Sequence, residues 1–475
     1  MDKAGSRIVG FSLFVSQWGR LTVMFCSLLL MAAMPARGAD ERPPNILLLV
    51  SDDHQHSALG AAGNPIVQTP HLDRLASQGV RFTHAFVHIP ICTPSRAAYL
   101  TGMYGPHNGV TFFGKKRSQG VVSLAEILSK RGYQTAFTGK WHNDQRPPAW
   151  GFGWTANVFA GGMGPYTDPK LVQGADDPPR VTKGNITELI ADAAVRFLGE
   201  RDASRPFFLN VAFTAPHDPR TPPPEYERMY EPERMALPGN FMASPRFDPG
   251  TLNIRDEKLL PLPREAAAVR REIGRYYGLI THLDAQIGRI LDALEKHKLA
   301  DDTIVIFVGD NGLALGAHGL LGKQTMYDEG VRVPLIVRHP RLEGRRGETR
   351  DALVDLIDLL PTICDWTGTP PPPSVDGRSF AGLLKGETPR VRDAIFGTYD
   401  EKDTPLFRMI RTERYKLICY LQLNREELFD LQADPLELKD LSDDPGLQEV
   451  RDRLRARLKE LRKSAGEKVD EPAAK

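Results

Sequence analysis

The sequence predicts an α/β fold: a large, mostly parallel mixed sheet with helices on both faces, followed by a smaller C-terminal α+β region with an antiparallel sheet. Four short apolar runs carry the first part of this. Each ends in polar residues: Ile46 to Val50 in Ser51-Asp52-Asp53, Gln134 to Thr138 in Gly139-Lys140-Trp141-His142, Phe207 to Phe213 in Thr214-Ala215-Pro216-His217, and Ile304 to Val308 in Gly309-Asp310-Asn311-Gly312. Runs that short, apolar on both faces, suit strands buried on both sides of a sheet. Helical patterns separate them, and strands alternating with helices build sheets covered on both faces. Past the proline run Thr369 to Pro373 the pattern changes to short strands and one charged helix.

Taken in order, the first 38 residues read as a secretory signal peptide. Basic Lys3, Arg7 and Arg20 precede the apolar stretch Leu21 to Met34, and small residues offer a cut after Gly38. The protein is therefore expected to be secreted or periplasmic, the alternative being an uncleaved anchor. Residues 43–368 should form the large domain. Within it Thr69-Pro70 opens a helix over Leu72 to Gln78, and Ser123 with Glu126 makes a capping box. Ile186 to Glu200 and about Glu265 to Lys298 supply two longer helices. Asp218 to Pro263, rich in Pro, Arg and Glu, reads as an extended insertion over the surface, and loops of that length are often functional. Residues 374–463 should form the small domain, with strands at Ala394 to Tyr399, Phe407 to Arg411 and Tyr415 to Leu421 and a helix at Leu447 to Leu461; residues 464–475 read as a disordered tail.

Composition excludes some functions. With 61 Lys plus Arg against 60 Asp plus Glu, the chain has no electrostatic footprint for nucleic acid or anionic membrane. Any anion selectivity must be local. After the leader only Cys92, Cys364 and Cys419 remain, which is no disulfide framework; Cys364 and Cys419 read as core residues, the alternative being a single disulfide between them.

In open α/β sheets ligands bind beyond the carboxyl ends of the strands, and all four polar clusters fall at that edge. Asp52, Asp53, Asp310 and Asn311 offer hard oxygen ligands suited to Ca²⁺ or Mg²⁺. Three carboxylates gathered there would repel one another without a cation. Arg96, Lys140 and Lys323 are candidate anion clamps, and His142 and His217, each following a strand, are candidate acids or bases. Cys92 opens Cys92-Thr93-Pro94-Ser95-Arg96. Thr93 is a fair N-cap and Pro94 suits the first helical position, which puts the thiol where helix N–H groups attract anions.

These blocks resemble, in family order, the active-site segments of the type I sulfatases of the alkaline-phosphatase-like superfamily: Asp52-Asp53, Cys92-Thr93-Pro94-Ser95-Arg96, Thr138-Gly139-Lys140-Trp141-His142, Ala215-Pro216-His217, Gly309-Asp310-Asn311-Gly312 and Gly322-Lys323-Gln324. The likeness spans about Pro44 to Pro340, and Leu428-Phe429-Asp430-Leu431 with Asp434-Pro435 resembles the family's C-terminal region.

The resemblance implies sulfate release from a sulfated carbohydrate or small sulfate ester. It implies that Cys92 is oxidised to formylglycine by a formylglycine-generating enzyme. The metal site would be Asp52, Asp53, Asp310 and Asn311, completed by modified Cys92 and holding Ca²⁺ in preference to Mg²⁺. One hydroxyl of the hydrated aldehyde would attack sulfur while His217, helped by Lys323, protonates the leaving group. The other, deprotonated with the aid of His142, would expel sulfate, with Arg96 and Lys140 positioning the modified residue. Two alternatives stand beside this: phosphonate or phosphate monoester hydrolysis on the same scaffold, and a non-catalytic binding homologue that keeps an unmodified Cys92. Trp150 to Asp177 and Arg220 to Asp256 are the segments expected to reach the substrate.

Overall fold

The computed structural model describes residues 42–342 and 345–468. The expected signal peptide, residues 1–38, lies outside them. Fifteen strands occur among the described residues: β1 Asn45–Ser51, β2 Val80–Phe86, β3 Gln134–Lys140, β4 Trp154–Phe159, β5 Lys170–Leu171, β6 Arg180–Val181, β7 Phe207–Ala212, β8 Thr303–Gly309, β9 Arg332–Arg338, β10 Glu348–Arg350, β11 Val354–Asp355, β12 Ile395–Glu401, β13 Thr404–Arg411, β14 Tyr415–Tyr420 and β15 Arg425–Asp430.

The large sheet runs in the order β10, β2, β9, β8, β1, β7, β3, β4, with β11 also pairing β2. The four strands expected from apolar runs, β8, β1, β7 and β3, are consecutive neighbours and mutually parallel. Their ends are level, because Val50 pairs with both Ala212 and Val308 while Gly139 pairs with Ala212. The polar residues that follow therefore emerge together along one edge.

Alternation along β1 divides the core. Leu47 and Leu49 pack with Leu72, Leu75, Ile190, Phe197, Leu283 and Ile287 from the helices Pro70–Gln78, Ile186–Glu200 and Ala266–Lys296. Ile46, Leu48 and Val50 face the opposite way, towards Leu124, Leu128, Tyr99 and Ile363 from three other helices. A strand buried on both faces in this way reads as a continuous apolar run, which is why these four were legible.

β9, antiparallel to β2 and β8, was not expected. It carries Pro334, which lacks the N–H a ladder needs and argues against a strand interior. The sheet accommodates it with a register shift on β2 between Phe82 and Ala85, opposite the stretch that holds Pro334.

β12 to β15 form a separate four-stranded antiparallel sheet. Phe396, Ile410, Leu417 and Leu428 pack with Leu454 and Leu458 of the helix Gln448–Ser464. Ile395, Tyr399, Met409, Ile418 and Phe429 belong instead to the core that covers the large sheet. The described residues from Pro43 onward thus form one compact unit.

Two expectations need correction here. The tail was expected to begin at Ser464, yet Ala465 is fully buried and Glu467 accepts from Arg408 Nε at 2.8 Å and Arg462 Nε at 2.9 Å; residues 469–475 lie outside those described. Asp218 to Pro263 holds only short helical turns, but it is no mere surface excursion. Asp218, Arg220, Asp256 and Glu257 are buried within it, and Arg220 reaches Glu272 of the long helix at 2.8 Å.

Cys92, Cys364 and Cys419 are all free; Cys364 is buried, while Cys419 is only half-buried. Among the described residues no helix is long and apolar enough to cross a membrane.

Candidate active site

Three strand ends are stitched together before any side chain acts. The Asp52 N–H donates to the Ala215 carbonyl at 3.0 Å, and the Asp310 N–H to the Ser51 carbonyl at 3.0 Å. Asp53 turns with φ +61, and its N–H donates to Asp310 Oδ1 at 3.1 Å. Backbone placement of this kind costs no side-chain entropy at the moment of reaction.

The helix bearing Cys92 differs from expectation. It spans Cys92–Thr101 with Ile91 as its N-cap and no side-chain cap, so Cys92 occupies the first turn. Thr93 is not the cap. Its hydroxyl donates to the His142 carbonyl at 2.8 Å, which ties the helix to the segment after β3. Pro94 remains within the first turn, where a missing N–H is tolerated. The next turn is anchored too: Ser95 Oγ donates to the Asp310 carbonyl at 2.5 Å and Arg96 Nη1 to the Lys140 carbonyl at 2.9 Å.

Cys92 Sγ lies 3.2 Å from Asp52 Oδ1 and 3.3 Å from Lys323 Nζ. Burial, with Asp52 as the next contribution, pushes its thiol well above the ordinary range, so the sulfur stays protonated. Lys140 is turned into the same space by a bulge. The β3–β4 register shifts between Thr138 and Gly139, and Gly139 sits at φ +101, where a Cβ would lie 1.9 Å from the Ala212 carbonyl oxygen. Lys140 Nζ then meets Asp52 Oδ2.

The charges pair off. Arg96 Nη2 lies 2.9 Å from Asp310 Oδ2 and 3.6 Å from Asp52 Oδ2, and Lys323 Nζ lies 2.7 Å from Asp53 Oδ1. These cations hold Asp52 far below the usual carboxylate range against the opposing pull of burial. Asp310 goes the other way, raised to about 7 by burial and then by Asp52. This corrects the expectation that repulsion among three carboxylates by itself demands a metal, since Arg96, Lys140 and Lys323 answer them.

A cation is still accommodated, on different grounds. Among the described residues Asn311 Oδ1 is a buried oxygen without a hydrogen-bond donor, and an orphaned buried acceptor is costly unless something fills it; Asp310 Oδ2, by contrast, is met by Arg96. Asn311 Nδ2 donates to Asp53 Oδ1 at 2.7 Å, which fixes the amide with its oxygen free. Asp52, Asp53, Cys92 and His217 also bring ligand atoms within 4.8 Å of one another. His217 was not expected among possible ligands, whereas Asp310 joins the group through Asp53 and Arg96 rather than within that distance.

Cys92, His142, His217 and Lys323 line an open cleft of about 570 Å³; Asp52, Asp53, Arg96, Lys140, Asp310 and Asn311 are not part of its lining and are fully buried or nearly so. His217 Nδ1 lies 2.7 Å from the Asp218 carbonyl oxygen, which must accept, so Nε2 carries the lone pair, 3.6 Å from Asp53 Oδ2. Burial lowers its pKa and Asp53 opposes the shift. His142 follows β3 at φ +49, stacked on Phe113 with centroids 5.3 Å apart. Burial and then Lys140 push it down to about 2, so it is neutral. Its ring needs a glycine opposite: a Cβ on Gly162 would lie 2.7 Å from it.

The rim includes Met163, Asn253, Arg255 and Asp256 from the two segments expected to reach the substrate, and also Phe113, Tyr399 and Glu401, which sequence reasoning missed. No periodicity or motif marks them.

Comparison with known proteins agrees with this arrangement. The Sulfatase family profile matches residues 44–369, and the profile described as N-sulphoglucosamine sulphohydrolase, C-terminal, matches residues 316–464. An arylsulfatase of Clostridium perfringens is 31% identical, the alignment covering 88% of this chain and 94% of the relative. A solved structure in complex with its substrate D-glucosamine-2-N,6-O-disulfate superimposes with TM-score 0.78 at 27% identity, covering 90% of this chain and 98% of the other. The phosphonate monoester hydrolase of Agrobacterium radiobacter gives TM-score 0.74 at 26% identity, covering 89% and 96%. The chain belongs to the sulfatase family and is a sulfuric ester hydrolase.

Proposed function

We propose that this sulfatase releases sulfate from a sulfated sugar or small sulfate ester, with Cys92 converted to formylglycine by a formylglycine-generating enzyme and one divalent cation, Ca²⁺ in preference to Mg²⁺, held by Asp52, Asp53, Asp310 and Asn311. The position of Cys92 Sγ carries this reading: 3.2 Å from Asp52 and 3.3 Å from Lys323, at the base of the cleft. A buried, protonated thiol is a poor nucleophile, which is the physical case for its conversion. As a hydrated aldehyde the residue supplies one hydroxyl for attack and a second that allows release without hydrolysis of a stable ester. The oxygen donors suit a hard cation, whose charge offsets that building on the oxyanion.

The chain's own residues have separable tasks. Arg96, clamped by Asp310 and the Lys140 carbonyl, and Lys140, paired with Asp52, hold the carboxylates in register. Lys323 Nζ, beside Sγ, places a positive charge where sulfate oxygens gather. His217 Nε2, which carries a lone pair in the neutral ring, would protonate the leaving oxygen or nitrogen only from the doubly protonated ring, a form that Asp53 favours and burial opposes. His142, held neutral by burial and Lys140, is the proposed base for the second hydroxyl, although the same surroundings oppose its protonated form.

The sugar reading is supported by the amino sugar disulfate bound as substrate in the similar solved structure and by the C-terminal profile match. A second reading, phosphonate or phosphate monoester hydrolysis at the same centre, is favoured by the likeness to the Agrobacterium radiobacter enzyme. Export to the periplasm or outside the cell is part of the proposal, supported by the leader-like first 38 residues.

Peptide mass spectrometry across residue 92, on protein coexpressed with the formylglycine-generating enzyme, tests the reading together with parallel turnover of an aryl sulfate and an aryl phosphonate. An aldehyde at residue 92 and faster sulfate release are expected. An intact thiol in fully active protein would overturn the nucleophile, and a preference for phosphonate would favour the second reading.

A further inference from the structure

We infer that the rim of the cleft selects the leaving group by charge, with Glu401 favouring one that carries hydroxyls or an amine and disfavouring one that carries a second anion. This rests on the sulfatase reading of the floor and deepens it, since it concerns what departs from the sulfur.

The cations that line the cleft are already matched. Lys323 pairs with Asp53 at 2.7 Å. Arg255 donates to both oxygens of Asp218, at 2.5 and 2.8 Å, and again to Asp256 Oδ1 at 2.6 Å. One guanidinium therefore faces two carboxylates, and among the described residues that line the rim no positive charge is left over. Glu401 is matched by no cation among the described residues; its Oε2 accepts only from the Tyr399 hydroxyl, at 2.5 Å. Its neighbours on the β12–β13 hairpin do not offset it. Asp400 is engaged by Arg408 at 2.6 Å and Asp403 by Lys115 at 2.7 Å, while Lys402 lies exposed in the turn, outside the lining.

A carboxylate accepts hydrogen bonds and donates none. Glu401 thus offers lone pairs to hydroxyl or ammonium groups and repels a carboxylate or a further sulfate. Apolar surface lies in the same cleft: Phe113 is 39% exposed and Met163 47% exposed, which suits the C–H face of a sugar ring. The floor, by contrast, brings Lys323 Nζ within 3.3 Å of Cys92 Sγ, where the proposed reading puts the single sulfate. The substrate class that fits both ends is a monosulfated sugar whose remaining groups are hydroxyls or a free amine.

The test uses matured, full-length enzyme and three aryl sulfates: 4-nitrophenyl sulfate and two analogues with a trimethylammonium or a carboxylate on the ring. Each is assayed with wild type, Glu401→Gln and Glu401→Lys. Comparing variant with wild type on the same ester cancels that ester's own reactivity. For Glu401→Gln, kcat/KM on the ammonium ester should fall about fivefold relative to the neutral ester and that on the carboxylate ester should rise about fivefold, the scale of one partly exposed ion pair. Glu401→Lys should widen both changes. Equal factors on all three esters would overturn the inference while leaving the sulfatase reading intact. Failure of matured wild type on all three would remove that reading, and this inference with it.

Discussion

At the floor of the cleft Asp52, Asp53, Arg96, Lys140, Asp310 and Lys323 are between 0% and 2% exposed, and every one has an opposite charge close by. At the rim Arg255 is 44% exposed, Phe113 is 39% exposed and Glu401 has no cationic partner among the described residues. The floor is a neutralised block of fixed charge, expensive to disturb because each ion removed strands another in low dielectric. The rim is wet and screened, so each contact there is worth little on its own and shapes selectivity rather than rate. If the proposed roles hold, catalytic power and substrate choice are lodged in parts of one cleft with different energetics, and variants can separate them.

The largest effect should come from Cys92→Ala, which lowers sulfate release by at least about 10⁴-fold while barely moving the melting temperature, because the lost atom is the nucleophile's precursor and its volume is small. Retained activity would break the assignment. Lys140→Met should come next. It leaves Asp52 buried without its shortest partner, at a cost of about 3–5 kcal/mol in stability, and chemical denaturation would read it. A change of a few tenths would mean that Arg96 alone suffices and that the block is less tightly coupled than described.

Metal linkage is a smaller effect with a definite sign. Because the folded Asp310 carboxyl is raised to about 7 from an ordinary value of 3.8, its stabilising contribution is present below the unfolded value and lost as pH rises to 7. A cation that requires the carboxylate restores what is lost. The rise in melting temperature on adding Ca²⁺ should therefore be greater near pH 8 than near pH 5, and an equal rise at both would exclude Asp310 from the site. The smallest effect belongs to the rim. Arg255→Gln loosens Asp218, which accepts from His217 through its carbonyl, and should lower kcat/KM by about tenfold or less with little loss of stability. A loss as large as that of Cys92→Ala would erase the distinction between floor and rim.

The same division explains what could be read in the sequence. Floor residues stand directly after apolar strands, so Asp52, Lys140, His217 and Asp310 were marked by position as well as type. Cys92 was marked by its motif, although the helix starts at the cysteine itself and Thr93 holds the next segment instead of capping. Why the carboxylates tolerate one another was not legible, because the pairing of Lys140 with Asp52 depends on a bulge at Gly139 that no pattern announces. β9 was hidden by Pro334. Phe113 and Glu401 lie far apart in the chain, on a loop and on a hairpin of the second sheet, and meet at one cleft only once both sheets share a core.

Cys92 is 1% exposed, its Sγ closed in between Asp52 and Lys323 where the cleft meets the charged floor. On the proposed reading, enzymatic oxidation of that side chain would then be a question of timing, expected while the polypeptide is still open, as on a nascent or unfolded chain. Were that so, a molecule that reaches its final shape with the sulfur still in place would have missed its window, and supplying the maturation machinery afterwards should not rescue it.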